Sequence, residues 1–369
     1  MRDVFRRYLL PGFVFQGVMI GGGYATGREL IEFFMPAGPA GGLLGMVVSM
    51  AVFSAVLAAS FELVRLTRSY DYKSFFQLLL GRGWVLFEIA YVLLLVIVLS
   101  VLGAAAGEIA RTFGLPPLAG TLALIGIVGL VVFYGSALVE KSTAALAIAL
   151  YVAYAVLIVW SLAAFGDRIA ASLAQPIGGG WVMGGLTYAG YNLSCAPAVF
   201  FCIRHAAARR HAIGAGLLAG PITMLPAVLF FIAMMGWFPE IGAQSLPSAF
   251  LLAQLQAPWF EVLFQLVIFG TLIDTGAPLL HAINERVART YQARGATMPR
   301  ALRPVLSVGT MLLSVYVASA VGLVGLIARG YGALTWAFIV LLVIPVLTLG
   351  IWKIHQLGAH AAPAGIPQT

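Results

Sequence analysis

The chain has 369 residues, 62% of them hydrophobic and 9% charged, with a net charge of +8 and a mean hydropathy of +1.01. A soluble domain is about one quarter charged, so this composition excludes a water-soluble globular protein and describes a polytopic membrane protein. The positive balance does not imply a nucleic-acid partner, because the basic residues are sorted by side of the membrane and not gathered on one face.

Apolar runs of about twenty residues, each long enough to cross a hydrocarbon core of roughly 30 Å, recur ten times. They fall at about 8–35, 40–65, 84–112, 116–135, 142–165, 181–206, 211–236, 259–284, 303–328 and 332–352, and are numbered spans 1 to 10. Lipid offers backbone groups no partner, so runs this apolar are helices and not barrel strands. The first run is too long for a signal-peptide core and lacks a small-residue cleavage site, so it is expected to remain as span 1.

Span 1 contains "MIGGGYATGREL" (19–30), which breaks a helix with Gly21, Gly22, Gly23 and Gly27 and then adds Arg28 and Glu29. Glu32 lies four residues after Arg28, on the same helical face. The segment 65–82, "RLTRSYDYKSFFQLLLGR", reads as a short interfacial helix with Tyr70, Tyr72, Phe75 and Phe76 among basic residues. Glu62, Glu88 and Glu108 lie near the ends of spans 2 and 3 and read as interfacial. Span 6 is interrupted in its turn by "GYNLSCAP" (190–197). Its Cys195 and Cys202 are seven residues apart on one helix, too far to bridge, and no ligand spacing suggests a metal site. The loop 237–258 is long and nearly uncharged, and reads as a cover over an extracellular entrance. In span 8, Thr271, Asp274 and Thr275 place one carboxylate and two hydroxyls on one face at mid-depth, where an ionisable group is costly and usually functional. A cation suits these hard oxygens, a proton on Asp274 competes with it, and a helix contact fixed by hydrogen bonding is the structural alternative. The Ala/Pro-rich end, 354–369, reads as a flexible tail after a single transmembrane domain over 1–353.

At 1.5 Å per residue, the bilayer middle falls near Ile20–Gly23 in span 1 and Leu193–Ser194 in span 6. The two breaks therefore occupy corresponding depths in two halves, about 8–166 and 181–352, which is the pattern of an inverted-repeat transporter. Close helix packing by small residues is the alternative reading of the glycines. Unwinding exposes N–H groups that suit a carboxylate, so Gly21, Gly22, Gly23, Tyr24, Ala25 and Thr26 are expected to hold substrate together with Tyr191, Asn192 and Ser194. With the N-terminus inside, 17 of the 21 basic residues fall on the inner side, among them Arg2, Arg65, Arg204, Arg286 and Lys353. Arg111, Arg168 and Arg329 fall outside, so both termini are expected to be cytoplasmic. The loop 285–303 carries five arginines and serves as a topology anchor or touches anionic lipid.

The stretch "IGGGYATGREL" followed by "IEFF" resembles the signature of the YkvI-like family of bacterial membrane proteins, in the amino acid–polyamine–organocation superfamily. That resemblance implies an all-α protein of about ten spans in two inverted five-helix repeats with spans 1 and 6 broken. Spans 1, 2, 6 and 7 would form a bundle that rocks against a scaffold of spans 3, 4, 8 and 9, in the bacterial inner membrane. It implies a secondary transporter of a small polar solute, an amino acid or amine, coupled to sodium or protons. Sodium symporters of this architecture bind an ion between span 8 and span 1, which carries the ion site onto Thr271, Asp274 and Thr275 with the carbonyls of Val18 and Gly21. They also carry an outer-gate arginine at about the place of Arg28, paired here with Glu32; charges near the headgroups are the plainer reading. A divalent-metal transporter of this fold would place an acid in the span 1 break, where this sequence has glycines. No nucleophile–base pair or phosphate loop suggests an enzyme, and no organic cofactor is expected. The expected partners are the solute, sodium and membrane lipid, and the expected state is a monomer or homodimer. A ligand-sensing receptor or channel of the same fold is the alternative function.

Overall fold

The computed structural model describes residues 2–134, 137–293, 295–299 and 302–360, and every regular element among them is helical. Span 1 is built from Leu10–Met19, a single turn Gly22–Ala25, and Arg28–Phe34. Span 2 is Gly38–Thr67, span 3 Trp84–Thr112 and span 4 Pro117–Tyr134. Span 5 lies in Ala137–Leu173, whose kink at Phe165 marks the expected end of the span. Span 6 is Trp181–Asn192 continued by a tight 3-10 helix, Leu193–His205. Spans 7 and 8 are Arg209–Met235 and Pro258–Ala293. By length and apolarity alone, seven helical stretches among the described residues would cross a membrane. The count of ten follows because span 1 is broken, span 4 is short, and spans 9 and 10 run together in that measure.

Two boundaries move. Spans 9 and 10 part at Gly322 (φ 74°, ψ 168°), not near residue 330, so Arg329 belongs to the first half of span 10. The turn needs one glycine at positive φ and no polar loop, which left no signal in an apolar run. The expected tail also begins later, since helix Ile351–His360 carries on past residue 354; residues 361–369 lie outside the described residues.

The packing separates the bundle from the scaffold. Spans 2 and 7 pack along their length, span 6 lies on span 2 and span 1 on span 7; spans 3, 4, 8 and 9 pack on one another. Exchanging the halves maps these contacts onto each other: span 5 packs on spans 7 and 8, and span 10 on spans 2 and 3. Lipid tails are as apolar as leucine, so close approach of small residues drives such packing. A Cβ at Gly216 would strike the Ala58 backbone, and Ser54 Oγ donates to Leu217 O at 2.8 Å.

The interfacial segment forms a helix, Tyr72–Leu80, with Asp71 as its N-cap. Its Phe75 and Phe76 are buried against Phe200 of span 6 and Phe87 of span 3, at centroid distances of 4.6 and 3.5 Å. This helix therefore wedges between bundle and scaffold at one end of the spans, and its aromatic face meets protein. At the other end, the loop after span 7 folds into Glu240–Ala243 and Pro247–Gln254 and lies over span 1.

Candidate functional site between the two interrupted helices

The first helix of span 1 ends when Ile20 (φ −72°, ψ 79°) leaves the helical region. The chain makes one turn, passes through Gly27 at φ 81°, where a side chain would be strained, and restarts at Arg28. Backbone groups released by the break find partners in the protein, as groups buried in apolar surroundings must. Tyr154 of span 5 donates its hydroxyl to Ala25 O at 2.5 Å, and Ser248 N donates to Thr26 O at 3.0 Å. Thr26 Oγ1 donates to Gly23 O at 2.9 Å and accepts from Arg28 N at 3.4 Å, so this hydroxyl is used inside the turn.

The αL restart at Gly27 also turns Glu29 back into the break. Its carboxylate lies against Gly23, where even a Cβ would collide with Oε1, Cγ and Cδ. Glu29 Oε2 accepts from the Tyr191 hydroxyl at 2.5 Å. Glu29 is 4% exposed, and no basic side chain among the described residues pairs with it. The sequence reading placed Glu29 with headgroup or vestibule charges; the structure places it at the centre of the expected substrate site. The acid that the sequence lacks inside the break is supplied in space by Glu29, which removes that ground for setting aside a cation in the break. Among the described residues, no group of three His, Cys, Asp or Glu side chains gathers to hold a metal ion.

Span 6 meets this carboxylate where its winding changes. Asn192 is the last α-helical residue and donates to Tyr188 O at 3.0 Å within its own helix. The thirteen residues Leu193–His205 wind as 3-10 helix, a length that marks strain or a hinge, and contain Pro197. The interruption expected at 190–197 is thus a change of pitch without a gap. Tyr191 stacks on Tyr331 of span 10 at 4.5 Å and on Phe33 of span 1 at 5.5 Å. The buried hydroxyls of Tyr24 and Tyr188 make no hydrogen bond. Of the expected substrate residues, the structure brings the Gly21–Thr26 turn and Tyr191 together through Glu29. Ser194 is fully buried beside them in sequence, while the Asn192 amide is spent on its own helix.

The ion residues line a second, separate space. A cavity of about 60 Å³ lies between span 8 and span 1, walled by Thr271, Asp274 and Thr275 on one side and Gly17 and Ile20 on the other, with Tyr151 of span 5. Thr271 Oγ1 and Thr275 Oγ1 donate to Val267 O and Thr271 O at 3.0 and 2.9 Å. Their protons are held by the helix, which leaves the oxygen lone pairs to face a cation. The span 1 wall is one residue earlier than expected. Val18 is 41% exposed and does not line the cavity, and Gly21 O already accepts from Ala25 N at 2.8 Å. Gly21 still approaches Thr275, since a Cβ there would lie 3.8 Å from Thr275 Cγ2.

Arg28 and Glu32 pair as expected, at 2.5 Å. Arg28 Nη1 also donates to Gly242 O at 2.9 Å and Gln244 O at 3.0 Å, which fastens the covering loop to span 1. Ser245 Oγ donates to Glu108 Oε2 at 2.5 Å, fastening the same loop to span 3. Glu62 and Glu88 are paired with Arg65 and Arg286 at 2.7 and 3.0 Å. Near the opposite end, a cavity of about 260 Å³ is walled by Arg286, Tyr72 and Tyr91 and by Pro197 of span 6.

Over 335 residues, 89% of this chain and 92% of the other, the sequence is 25% identical to the uncharacterized membrane protein YkvI of Bacillus subtilis (strain 168). No protein-family profile matches the sequence. Among solved structures, MhsT in complex with L-phenylalanine superimposes with a TM-score of 0.55 at 16% identity, over 95% of this chain and 98% of that one. The resemblance to the YkvI-like proteins therefore stands over most of the chain, and the fold is an inverted repeat of five and five spans shared with MhsT.

Proposed function

We propose that this chain, similar over most of its length to YkvI, is a secondary transporter that moves a small polar solute across the bacterial inner membrane by alternating access, coupled to sodium. The observation that supports it best is the small cavity that sets Thr271, Asp274 and Thr275 of span 8 against Gly17 and Ile20 of span 1, with Leu146 and Leu150 completing its wall. Span 8 belongs to the scaffold and span 1 to the bundle, so an ion there joins the two bodies that move. Hydroxyl and carboxylate oxygens replace part of a sodium ion's water shell, and the cavity is too small for a larger organic cation. An ion shifts the equilibrium between two packings only through its different affinity for them. Sodium then tightens solute binding, and by linkage solute tightens sodium binding by the same factor. The solute lies between the span 1 turn and Tyr191, beneath the loop that Arg28 holds. Both termini are cytoplasmic, as the sorting of basic residues supports.

Binding and uptake in sodium and in choline, each at two pH values, test this reading. Sodium-dependent uptake into proteoliposomes that is lost in Asp274→Asn and weakened in Thr275→Ala is the expected result. Dependence on pH with indifference to sodium replaces the coupling ion with a proton. Indifference to both, with ligand still bound, overturns the transporter reading in favour of a receptor or channel.

A further inference from the structure

We infer that the central site selects solutes carrying an ammonium group and no carboxylate, with Glu29 as their counter-ion; this rests on the transporter reading and narrows its substrate. The unwound turn of span 1 presents the features that would hold an anionic group, but that place is taken. The Glu29 carboxylate lies on Gly23, tied by the Tyr191 hydroxyl at 2.5 Å. A solute carboxylate would have to evict a carboxylate of the protein or share the site with it at a cost in repulsion. A solute ammonium instead supplies the positive charge that no basic side chain among the described residues gives Glu29.

The surroundings fit the same group. Arg28, the adjacent basic residue, points away to Glu32 and the covering loop. Three stacked rings, Phe33, Tyr191 and Tyr331, stand beside the carboxylate, and aromatic faces attract cations. The Tyr24 and Tyr188 hydroxyls, 2% and 0% exposed as residues, are buried without a hydrogen bond. An ammonium has three N–H donors and no acceptor, so one carboxylate and two free hydroxyl oxygens match it. A divalent metal is served less well, since it needs several hard or soft ligands and no three His, Cys, Asp or Glu side chains gather among the described residues. The 60 Å³ cavity at Asp274 lies apart and leaves the coupling ion its own site.

The test uses purified full-length protein and probes that share a phenylethyl group and differ in the charged groups it carries: 2-phenylethylammonium, L-phenylalanine and 3-phenylpropionate, with butylammonium and butyrate as a smaller pair and manganese(II) chloride as the metal arm. Thermal stabilisation by the ammonium probes and not by the carboxylates is expected. Glu29→Gln should weaken that response roughly ten- to a hundredfold, as loss of a buried charge-assisted bond implies. Should Glu29→Gln not fold, Glu29→Asp keeps the charge one methylene back and Tyr191→Phe keeps the ring; both should bind the ammonium probes more weakly. Stabilisation by a carboxylate probe or by manganese, an unchanged response in all three variants, or no response to either ammonium probe at millimolar concentration overturns the inference. If carboxylates are the solutes driven by sodium, this inference falls and the transporter stands. If ammonium binding depends on Glu29 but no gradient drives uptake, the transporter falls and the site assignment stands.

Discussion

Replacing Gly23 by alanine tests the central geometry, because the consequence depends on one contact. The added methyl would occupy the space of Glu29 Oε1, Cγ and Cδ, so the carboxylate must move out of the turn. Moving it breaks the 2.5 Å bond from Tyr191, a charge-assisted hydrogen bond of about 1.5–3 kcal/mol. Overpacking of the turn adds about 1–3 kcal/mol, for a total of about 2.5–6 kcal/mol. Glu29→Ala leaves the Tyr191 hydroxyl buried without its acceptor, at about 1–3 kcal/mol. In the double variant the methyl at position 23 meets no carboxylate, so Gly23→Ala should add only a few tenths of a kcal/mol to the cost of Glu29→Ala. The cycle therefore carries a coupling of about 2 kcal/mol or more, within the range seen for residues in contact. Reversible unfolding in mixed detergent micelles measures all four proteins. A Gly23→Ala protein as stable as the parent, or a cycle that closes additively, refutes the placement of Glu29 in the turn.

Three further outcomes follow from other parts of the molecule. Arg28→Gln removes the donors to Gly242 O and Gln244 O, so amide exchange over 237–248 should accelerate roughly ten- to a hundredfold, while exchange over 72–80 stays unchanged. Ala243→Cys, at an exposed point of the covering loop, should react with an impermeant maleimide added outside intact cells, and Gly295→Cys should not; the reverse pattern inverts the topology. Burial alone would raise the Asp71 carboxyl, but hydrogen bonds from the Ser74 hydroxyl and amide outweigh it and hold Asp71 below its ordinary range. Its cap on helix Tyr72–Leu80 should be worth about 1 kcal/mol. With the folded value depressed, that contribution is whole above the ordinary aspartate pKa and fades as pH falls through the folded value. Melting of Asp71→Ala should thus differ from the parent at neutral pH and converge with it in acid.

Most spans were legible because hydropathy marks long apolar runs, and the paired interruptions were legible because glycine, asparagine and proline are conspicuous in such runs. The division into bundle and scaffold came from the resemblance and reappears in the packing of span 2 on span 7 and span 3 on spans 4, 8 and 9. Thr271, Asp274 and Thr275 face one cavity, as helical spacing requires. Glu29 escaped because a helical projection carries residue 29 onward from the break, whereas Gly27 at φ 81° reverses it. An acid two residues after the last glycine of the break was the available signal. The one-residue displacement from Val18 and Gly21 to Gly17 and Ile20 reflects where the first helix ends, which backbone angles at Ile20 decide and composition does not. Gly322 hid for a similar reason: a single left-handed residue turns the chain without a polar loop.

The separation of Glu29 from the cavity at Asp274 has an electrical consequence. Were a sodium ion and an ammonium to cross together, each cycle would move two positive charges through the field, because the protein's own charges make the round trip. A charge that crosses the full field gains or loses about 2.3 kcal/mol per 100 mV. An inside-negative potential would therefore favour the cycle that carries them inward. Transport of an ammonium by this site would therefore be electrogenic, with two positive charges entering per cycle, and a solute without charge would halve that current.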